Sequence, residues 1–80
     1  MKPHIRPAFI VAMNREIEAN EHKGPWEDYV PSSCYVAPWL EEHVSKLILA
    51  VARKDRAKVR EYAADVANIA MKIDETFGPK

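Results

Sequence analysis

The sequence predicts an all-α protein in which three helices form one domain and the last two helices form a helical hairpin. Apolar residues recur at helical spacing, prolines and glycines separate the periodic stretches, and 80 residues leave room for one domain. We expect this domain to cover residues 1–80. Its helices should span about residues 7–22, 38–53 and 55–77, with an aromatic-rich loop over residues 24–37.

The first helix is predicted from its start and stop signals. Pro7 suits the first position of a helix, where its missing N–H is not needed. Phe9, Met13 and Ile17 then recur at the spacing of one helix face. Gly24, followed directly by a proline, is expected to end this segment.

The loop and the second helix come next. The loop combines prolines and serines with several aromatic residues, so we expect it to pack over the helices as a cover. Pro38 is predicted to open the second helix. The expected core stripe of this helix consists of Leu40, Val44, Leu47, Ile48 and Val51.

The third helix is predicted to begin after the N-cap Asp55 and to end before Gly78. Its apolar residues cover an arc of about 200°, although a surface helix needs only about 100°. We therefore expect a second copy of the chain to cover the excess and to form a four-helix-type bundle by oligomerisation. Alternatively, the first helix and the aromatic loop cover the excess apolar surface of the third helix. The residues expected on the apolar side are Val59, Tyr62, Ala63, Val66, Ala70, Ile73 and Phe77.

A polar strip along the third helix is the first candidate site. It consists of residues spaced by four, three and four, which therefore share one line: Glu61, Asp65, Asn68 and Lys72. Glu42 lies on the second helix, and carboxylates facing each other across a hairpin can hold Mg²⁺. The candidate metal ligands are therefore Glu42, Glu61 and Asp65. Alternatively, the strip is a solvated face with ion pairs such as Glu42 with Lys46.

A second candidate group lies at the end of the first helix and consists of His22, Lys23 and Trp26. A lysine can bind phosphate and a tryptophan can stack on a nucleobase. Alternatively, the basic residues face the helix dipole and the tryptophan fills the core.

Composition excludes several other classes of function. Twelve basic and twelve acidic residues cancel, which argues against binding to nucleic acid or to a membrane. The lone Cys34 and the lack of a signal sequence predict a reducing, cytoplasmic location. His4 and His43 lack the spacing of a zinc site, and the sequence contains no glycine-rich phosphate loop or hydrolase triad.

Three segments resemble MazG-like nucleoside triphosphate pyrophosphohydrolases over roughly residues 9 to 77. The run EYAADVANIAM resembles the second helical motif of that family, NEHKGPW resembles a segment near the start of its phage-type and small prokaryotic members, and LEEHVSKL lies where the family has its paired-glutamate helix. These segments are residues 61–71, 20–26 and 40–47.

The resemblance implies an all-α fold that dimerises or tetramerises and that cleaves nucleoside triphosphates to the monophosphate and pyrophosphate with Mg²⁺. Glu42 matches the first family glutamate and Asp65 the final aspartate. His43 and Lys46 lie where further glutamates are expected, and Tyr62 replaces the glutamate before the aspartate. A lysine among metal ligands repels Mg²⁺, so these departures predict a degraded metal site.

We therefore expect a MazG-like protein that binds a nucleotide or related phosphate compound between its helices. Lys46, Lys23 and His43 would contact phosphate, Asn68 the sugar or base, and Trp26 would stack. One alternative is an active Mg²⁺-dependent pyrophosphohydrolase that uses Glu42, Glu61 and Asp65. Another is a non-catalytic oligomeric module that binds a protein.

Overall fold

The computed structural model describes residues 4–80, and this part of the chain confirms the all-α prediction. It forms three α-helices: α1 (Pro7–Ala19), α2 (Ser33–Ala52) and α3 (Arg56–Phe77). Two short 3-10 turns, Glu21–Lys23 and Trp26–Asp28, lie between α1 and α2. Residues 1–3 of the predicted domain lie outside the described part.

Helix α1 has the expected start and an earlier end. Pro7 occupies its first turn, but the helix ends at Ala19, where residue 22 was predicted. The Asn20 side chain donates to the Glu16 carbonyl at 2.8 Å, which satisfies a free carbonyl at the helix end. The chain then continues as a 3-10 turn up to Gly24, whose φ of 117° favours glycine.

Helix α2 begins at Ser33 and not at Pro38, so the predicted start was wrong. Ser32 is its N-cap, and its hydroxyl accepts a hydrogen bond from the Cys34 N–H at 3.3 Å. Pro38 lies inside the helix, where it removes only its own N–H from the hydrogen-bond pattern. The serine cap therefore sets the start of the helix, and the last third of the predicted loop is helical.

Helix α3 and the hairpin agree with the sequence analysis. Asp55 caps α3 by accepting from the Lys58 N–H at 3.2 Å, and Lys54 makes the turn with a φ of 57°. Helix α3 packs against both α1 and α2. It is therefore the central helix of the chain.

The orientation of α3 differs from the prediction. The polar strip lies on its buried side: Asn68 and Lys72 are each only 3% exposed. Ala70 and Phe77, which were expected in the core, are exposed, and the other residues predicted on that side are half-buried. The strip is therefore not the solvated face that was considered as an alternative.

The hydrophobic core of the described residues is small. Its buried apolar members are Ala50, Ala64 and Ile69. On α2, Ile48 and Val51 are 64% and 57% exposed, so their predicted place in the core was wrong. Much apolar surface of the hairpin thus lacks cover from its own chain. Among residues 4–80, no helix combines the length and the apolar character needed to cross a membrane.

Candidate functional site

A cleft of about 610 Å³ lies between α1, the 3-10 turns and the α2–α3 hairpin. It brings together seven of the nine residues predicted for a site, although they come from four separate segments of the chain. These residues are Lys23, Trp26, Glu42, His43, Lys46, Asp65 and Asn68.

The other two predicted residues, His22 and Glu61, do not line this cleft. His22 Nδ1 donates to the Ala19 carbonyl at 3.1 Å, which supports the alternative that it caps the end of α1. Glu61 lies beside a shallower depression on the α1–α3 surface and pairs with Lys58 at 3.2 Å. His22 therefore has a local structural role.

One side of the cleft is an aromatic wall, which consists of Trp26, Tyr29, Tyr35 and Trp39. The Tyr35 and Trp39 rings stack with centroids 6.0 Å apart, and Tyr29 meets Trp39 edge-on at 5.4 Å. Trp26 and Trp39 lie 6.2 Å apart. Trp26 and Tyr29 of the segment between α1 and α2 thus contact Trp39 of α2 and offer flat apolar surfaces to the cleft, although most of this segment is exposed. The expected cover is therefore formed only in part.

Buried Lys72 holds Trp26 in place. Its ammonium group donates to the Trp26 carbonyl at 2.8 Å and lies 5.0 Å from the centre of the indole ring. Glu75 balances the charge at 3.3 Å. Lys72 therefore connects the second 3-10 turn to α3 and fixes one edge of the aromatic wall. The Trp26 Nε1–H is buried and has no acceptor among the described side chains and backbone.

Asn68 forms part of the cleft and carries a free hydrogen-bond acceptor. Its Nδ2 donates to the Met13 carbonyl of α1 at 2.9 Å. Because a carbonyl can only accept, this contact fixes which end of the amide is nitrogen. The opposite atom, Oδ1, is buried and receives no hydrogen bond from residues 4–80. Buried amide oxygens are normally paired, so this atom is an exception within the described residues.

Glu16 is the residue that the sequence analysis missed. Its carboxyl group shares a hydrogen bond with Asp65, and burial, this bond and the charges of Asp65 and Glu61 raise the pKa of Glu16 to about 7. Burial also raises the pKa of Asp65, opposed by the hydrogen bond from Glu16 and the charge of Lys46. One feature of the sequence could have revealed Glu16. It lies between Met13 and Ile17, which places it at the edge of the buried face of α1.

The second helix supplies basic groups to the cleft. Lys46 pairs with Glu42 at 3.5 Å, and both side chains are largely exposed. This is the ion pair considered as the alternative to a metal site. His43 Nδ1 donates to the Trp39 carbonyl at 2.9 Å.

The three predicted metal ligands do not form a metal site. Glu42 is paired with Lys46 and Glu61 with Lys58, and of the two glutamates only Glu61 lies close enough to affect the pKa of Asp65. Residues 4–80 contain no group of three histidine, cysteine, aspartate or glutamate side chains that could hold a metal ion. The Glu16–Asp65 pair remains. Two carboxyl groups can bind Mg²⁺ when substrate phosphates and water complete its coordination shell. They are too few to hold Mg²⁺ by protein ligands alone.

Searches against protein-family models, curated proteins and solved structures give no match for this chain. The interpretation of the cleft therefore rests on its own geometry and chemistry.

Proposed function

We propose that the cleft binds a nucleotide or a related phosphate compound, and that the chain is a MazG-like protein with a degraded metal site. The observation that carries this proposal is the cleft itself, in which the side chains of Lys23 and Lys46 lie together with the aromatic wall.

The residues of the cleft match the base and the phosphate group of a nucleotide. The aromatic wall offers ring faces on which a base can stack. Lys23, Lys46 and His43 line the same cleft and can contact phosphate. Lys46 is already held by Glu42, and a phosphate group would compete with that exposed and weak pair.

The charge of the residues that line the cleft limits how much negative charge the phosphate group of a ligand can carry. Four carboxyl groups, those of Glu16, Asp28, Glu42 and Asp65, face the cleft together with only two lysines. A bare triphosphate is therefore repelled. The lining favours a nucleoside monophosphate, or a triphosphate accompanied by Mg²⁺, whose charge would offset the carboxylates.

Thermal shift with a nucleotide panel tests this proposal. Nucleoside monophosphates, and triphosphates with Mg²⁺, should raise the melting temperature, because a ligand that binds only the folded state stabilises it. Asn68→Ala should remove the shift, whereas Asn14→Ala on the exposed face of α1 should keep it. An unchanged melting temperature with every nucleotide, with and without Mg²⁺, would refute the proposal and leave the protein-binding module as the better explanation.

A second candidate function is Mg²⁺-dependent nucleoside triphosphate pyrophosphohydrolysis. The specific observation in its favour is the Glu16–Asp65 pair, with Glu61 close enough to raise the pKa of both carboxyl groups. Mg²⁺ would supply charge to neutralise the phosphates and to activate water. The expected result is pyrophosphate release from a dNTP with Mg²⁺ and its loss in Asp65→Asn. No release across a full dNTP panel would exclude this function.

We also propose that a second copy of the chain covers the apolar outer face of the hairpin and forms a four-helix-type bundle. Support comes from the exposed Ile48 and Val51 of α2 and Phe77 of α3, set against a core of three buried apolar residues within the described part of the chain. Exposed patches of this kind are typical of interfaces. A domain of this length often needs oligomerisation for stability.

A further inference from the structure

We propose that the tip of the α2–α3 hairpin binds the phosphate backbone of a nucleic-acid duplex, independently of the base sequence. The hairpin tip is defined as residues 53–60, which run from the end of α2 through the turn into the first turns of α3. None of these residues lines the cleft. The inference therefore concerns a separate surface and does not rest on the proposed function.

The charge of the chain is distributed unevenly along its sequence. The hairpin tip holds five of the twelve basic residues and one of the twelve acidic residues, whereas the rest of the chain holds seven basic and eleven acidic residues. The even charge of the whole chain argued against nucleic acid, but it conceals a strongly basic surface. The basic residues of the tip are Arg53, Lys54, Arg56, Lys58 and Arg60.

Most of these charges have no carboxylate partner. Asp55, the acidic residue of the tip, is engaged as the N-cap of α3, where it accepts from the Lys58 N–H at 3.2 Å. The Lys58 side chain pairs with Glu61 at 3.2 Å. Within residues 4–80, no carboxyl group lies within ion-pair distance of the other four cations, and all four residues are exposed. The tip therefore presents four cations to a partner.

Folding alone does not explain the cations at the start of α3. Arg56, Lys58 and Arg60 lie within the first five residues of this helix, and its first turn contains no acidic residue. The N-terminal end of a helix carries a partial positive charge, so cations there lower the stability of the helix. Such departures from the rules of local stability are expected at functional sites.

The backbone of the hairpin tip is fixed by hydrogen bonds in the turn. The N–H groups of Lys54 and Asp55 donate to the carbonyls of Val51 and Ala50, each at 3.1 Å. A surface whose backbone is ordered before binding loses less conformational entropy when a partner binds. The tip is therefore a preformed basic surface.

The chemistry of the tip favours a nucleic-acid duplex over other anionic partners. Three of its five cations are arginines, whose planar guanidinium groups bind phosphate through two hydrogen bonds. The tip has no aromatic residue on which an unpaired base could stack. Its apolar residues are Ala57 and the half-buried Val59, so it offers no large side chain for insertion into a lipid bilayer and no apolar core for a protein interface. Interfaces with DNA are more polar and more positively charged.

Fluorescence anisotropy of a labelled DNA duplex, titrated with the full chain at several salt concentrations, tests the inference. Each phosphate contact contributes about −0.9 to the slope of log affinity against log salt. Four contacts predict a slope of about −3.6, so affinity should fall about 100-fold between about 50 and 200 mM salt.

Two double variants with the same change in net charge assign the binding to the tip. Arg56→Gln with Arg60→Gln should reduce the slope by about 1.8 and lower the affinity at least about 10-fold at about 50 mM salt. Arg6→Gln with Lys80→Gln removes two exposed cations outside the tip and should keep both values. The tip variant loses cations from the start of a helix, so it should fold at least as well as the unmodified chain, which circular dichroism measures.

Three results would overturn the inference. One is the absence of any anisotropy change at low salt with about 100 μM protein, which is the upper end of non-specific affinities for DNA. A second is an equal loss of affinity in both double variants, which would attribute binding to net charge and not to the tip. The third is binding of phosphatidylserine vesicles or of polyglutamate but not of the duplex, which would assign the tip to a membrane or to an acidic protein.

Discussion

The carboxyl group of Glu16 on α1 shares a hydrogen bond with that of Asp65 on α3, and burial raises the pKa of both groups. Two carboxyl groups in contact cannot both ionise freely, so the pair retains a proton near neutral pH. This contact connects the first helix to the central helix at the cleft. It gives the fold a dependence on pH.

The stability of the chain should fall as the pH rises through the range set by Glu16. The folded state holds the Glu16 proton up to about pH 7, while the unfolded chain releases it near 4.5. The folded state therefore binds more protons between these values, and the free energy of unfolding decreases across them. Glu16→Gln removes the titration and should gain about 1 kcal/mol at pH 8, after allowance for solvent screening.

Thermal melts at pH 5 and pH 8 measure this effect. For a domain of this size, 1 kcal/mol corresponds to about 4–8 °C. Glu18→Gln, on the exposed side of the same helix, is the control and should melt like the unmodified chain at both pH values. A Glu16→Gln variant with the same offset at pH 5 as at pH 8 would contradict the assignment of the proton.

Lys72→Met should destabilise the chain more than Lys58→Met. Both lysines pair with a glutamate three residues later and lie over an aromatic ring, but Lys72 is buried and Lys58 is half exposed. Loss of Lys72 leaves the Trp26 carbonyl without its partner, which costs about 1–3 kcal/mol. Loss of Lys58, whose ion pair is exposed, should cost much less.

Urea denaturation followed by tryptophan fluorescence measures both lysine variants. Lys72→Met should also change the emission of Trp26 in the folded state, because the cation leaves the face of the ring. Equal midpoints for the two variants would show that the buried contact contributes no more than the surface pair.

Asn68→Leu should keep the stability of the free protein within about 1 kcal/mol while removing nucleotide binding. The leucine side chain loses the hydrogen bond to Met13 but also removes an unpaired buried oxygen. Met13 lies inside α1, so its carbonyl keeps its helical hydrogen bond and the loss of Asn68 costs less than the loss of a sole partner. Chemical denaturation and thermal shift with AMP measure the two effects. A loss of more than about 3 kcal/mol would mean that Asn68 is mainly structural.

The chain should sediment as a dimer of about 18 kDa, twice its 9.1 kDa mass. Ile48→Glu should shift it to the monomer, because a charge on the buried interface is costly. Ile5→Glu is a matched control, since Ile5 is 65% exposed and Ile48 is 64% exposed, but Ile5 lies outside the helices. A strictly monomeric chain at high concentration in analytical ultracentrifugation would exclude the bundle.

Ser32→Ala should destabilise the chain by about 1 kcal/mol, the usual value of an N-cap. Its hydroxyl accepts from the Cys34 N–H, whereas the neighbouring Ser33 is the first helical residue and has no capping contact. Ser33→Ala is therefore the control, with a change near zero in urea denaturation. Equal effects of the two substitutions would place the helix start elsewhere.

Local signals in the sequence predicted the helices where the chain itself supplies caps. Pro7 and Asp55 act where they stand, and the structure confirms them, whereas α1 ends at Ala19 and not at the glycine stop signal Gly24. The start of α2 could not be read from Pro38, because a proline is tolerated inside a helix whose earlier cap is a serine. Pro38 and Ser32 both could mark the start of α2, and the hydrogen bond that Ser32 accepts places the start at Ser33.

Helical periodicity predicted which residues of α3 share a face, but not the direction in which each face points. Residues from Glu61 to Lys72 share one line in either orientation, so the sequence left open whether that line faces the cleft or the solvent. In the structure the line faces α1 and the cleft, because Met13, Trp26 and Glu16 offer partners to Asn68, Lys72 and Asp65. These partners lie 46 to 55 residues away in sequence for the two hydrogen bonds, so no local pattern reveals them.

The small core has a consequence for how long the protein survives in a cell. The buried apolar residues of the described chain are Ala50, Ala64 and Ile69. Part of the space between α1 and the hairpin is therefore an open cleft and is not packed with side chains. Under the proposed function, a nucleotide bound there fills this space and slows local opening. We expect resistance to proteolysis to follow the supply of that molecule, so that the amount of protein present reports on the pool it binds.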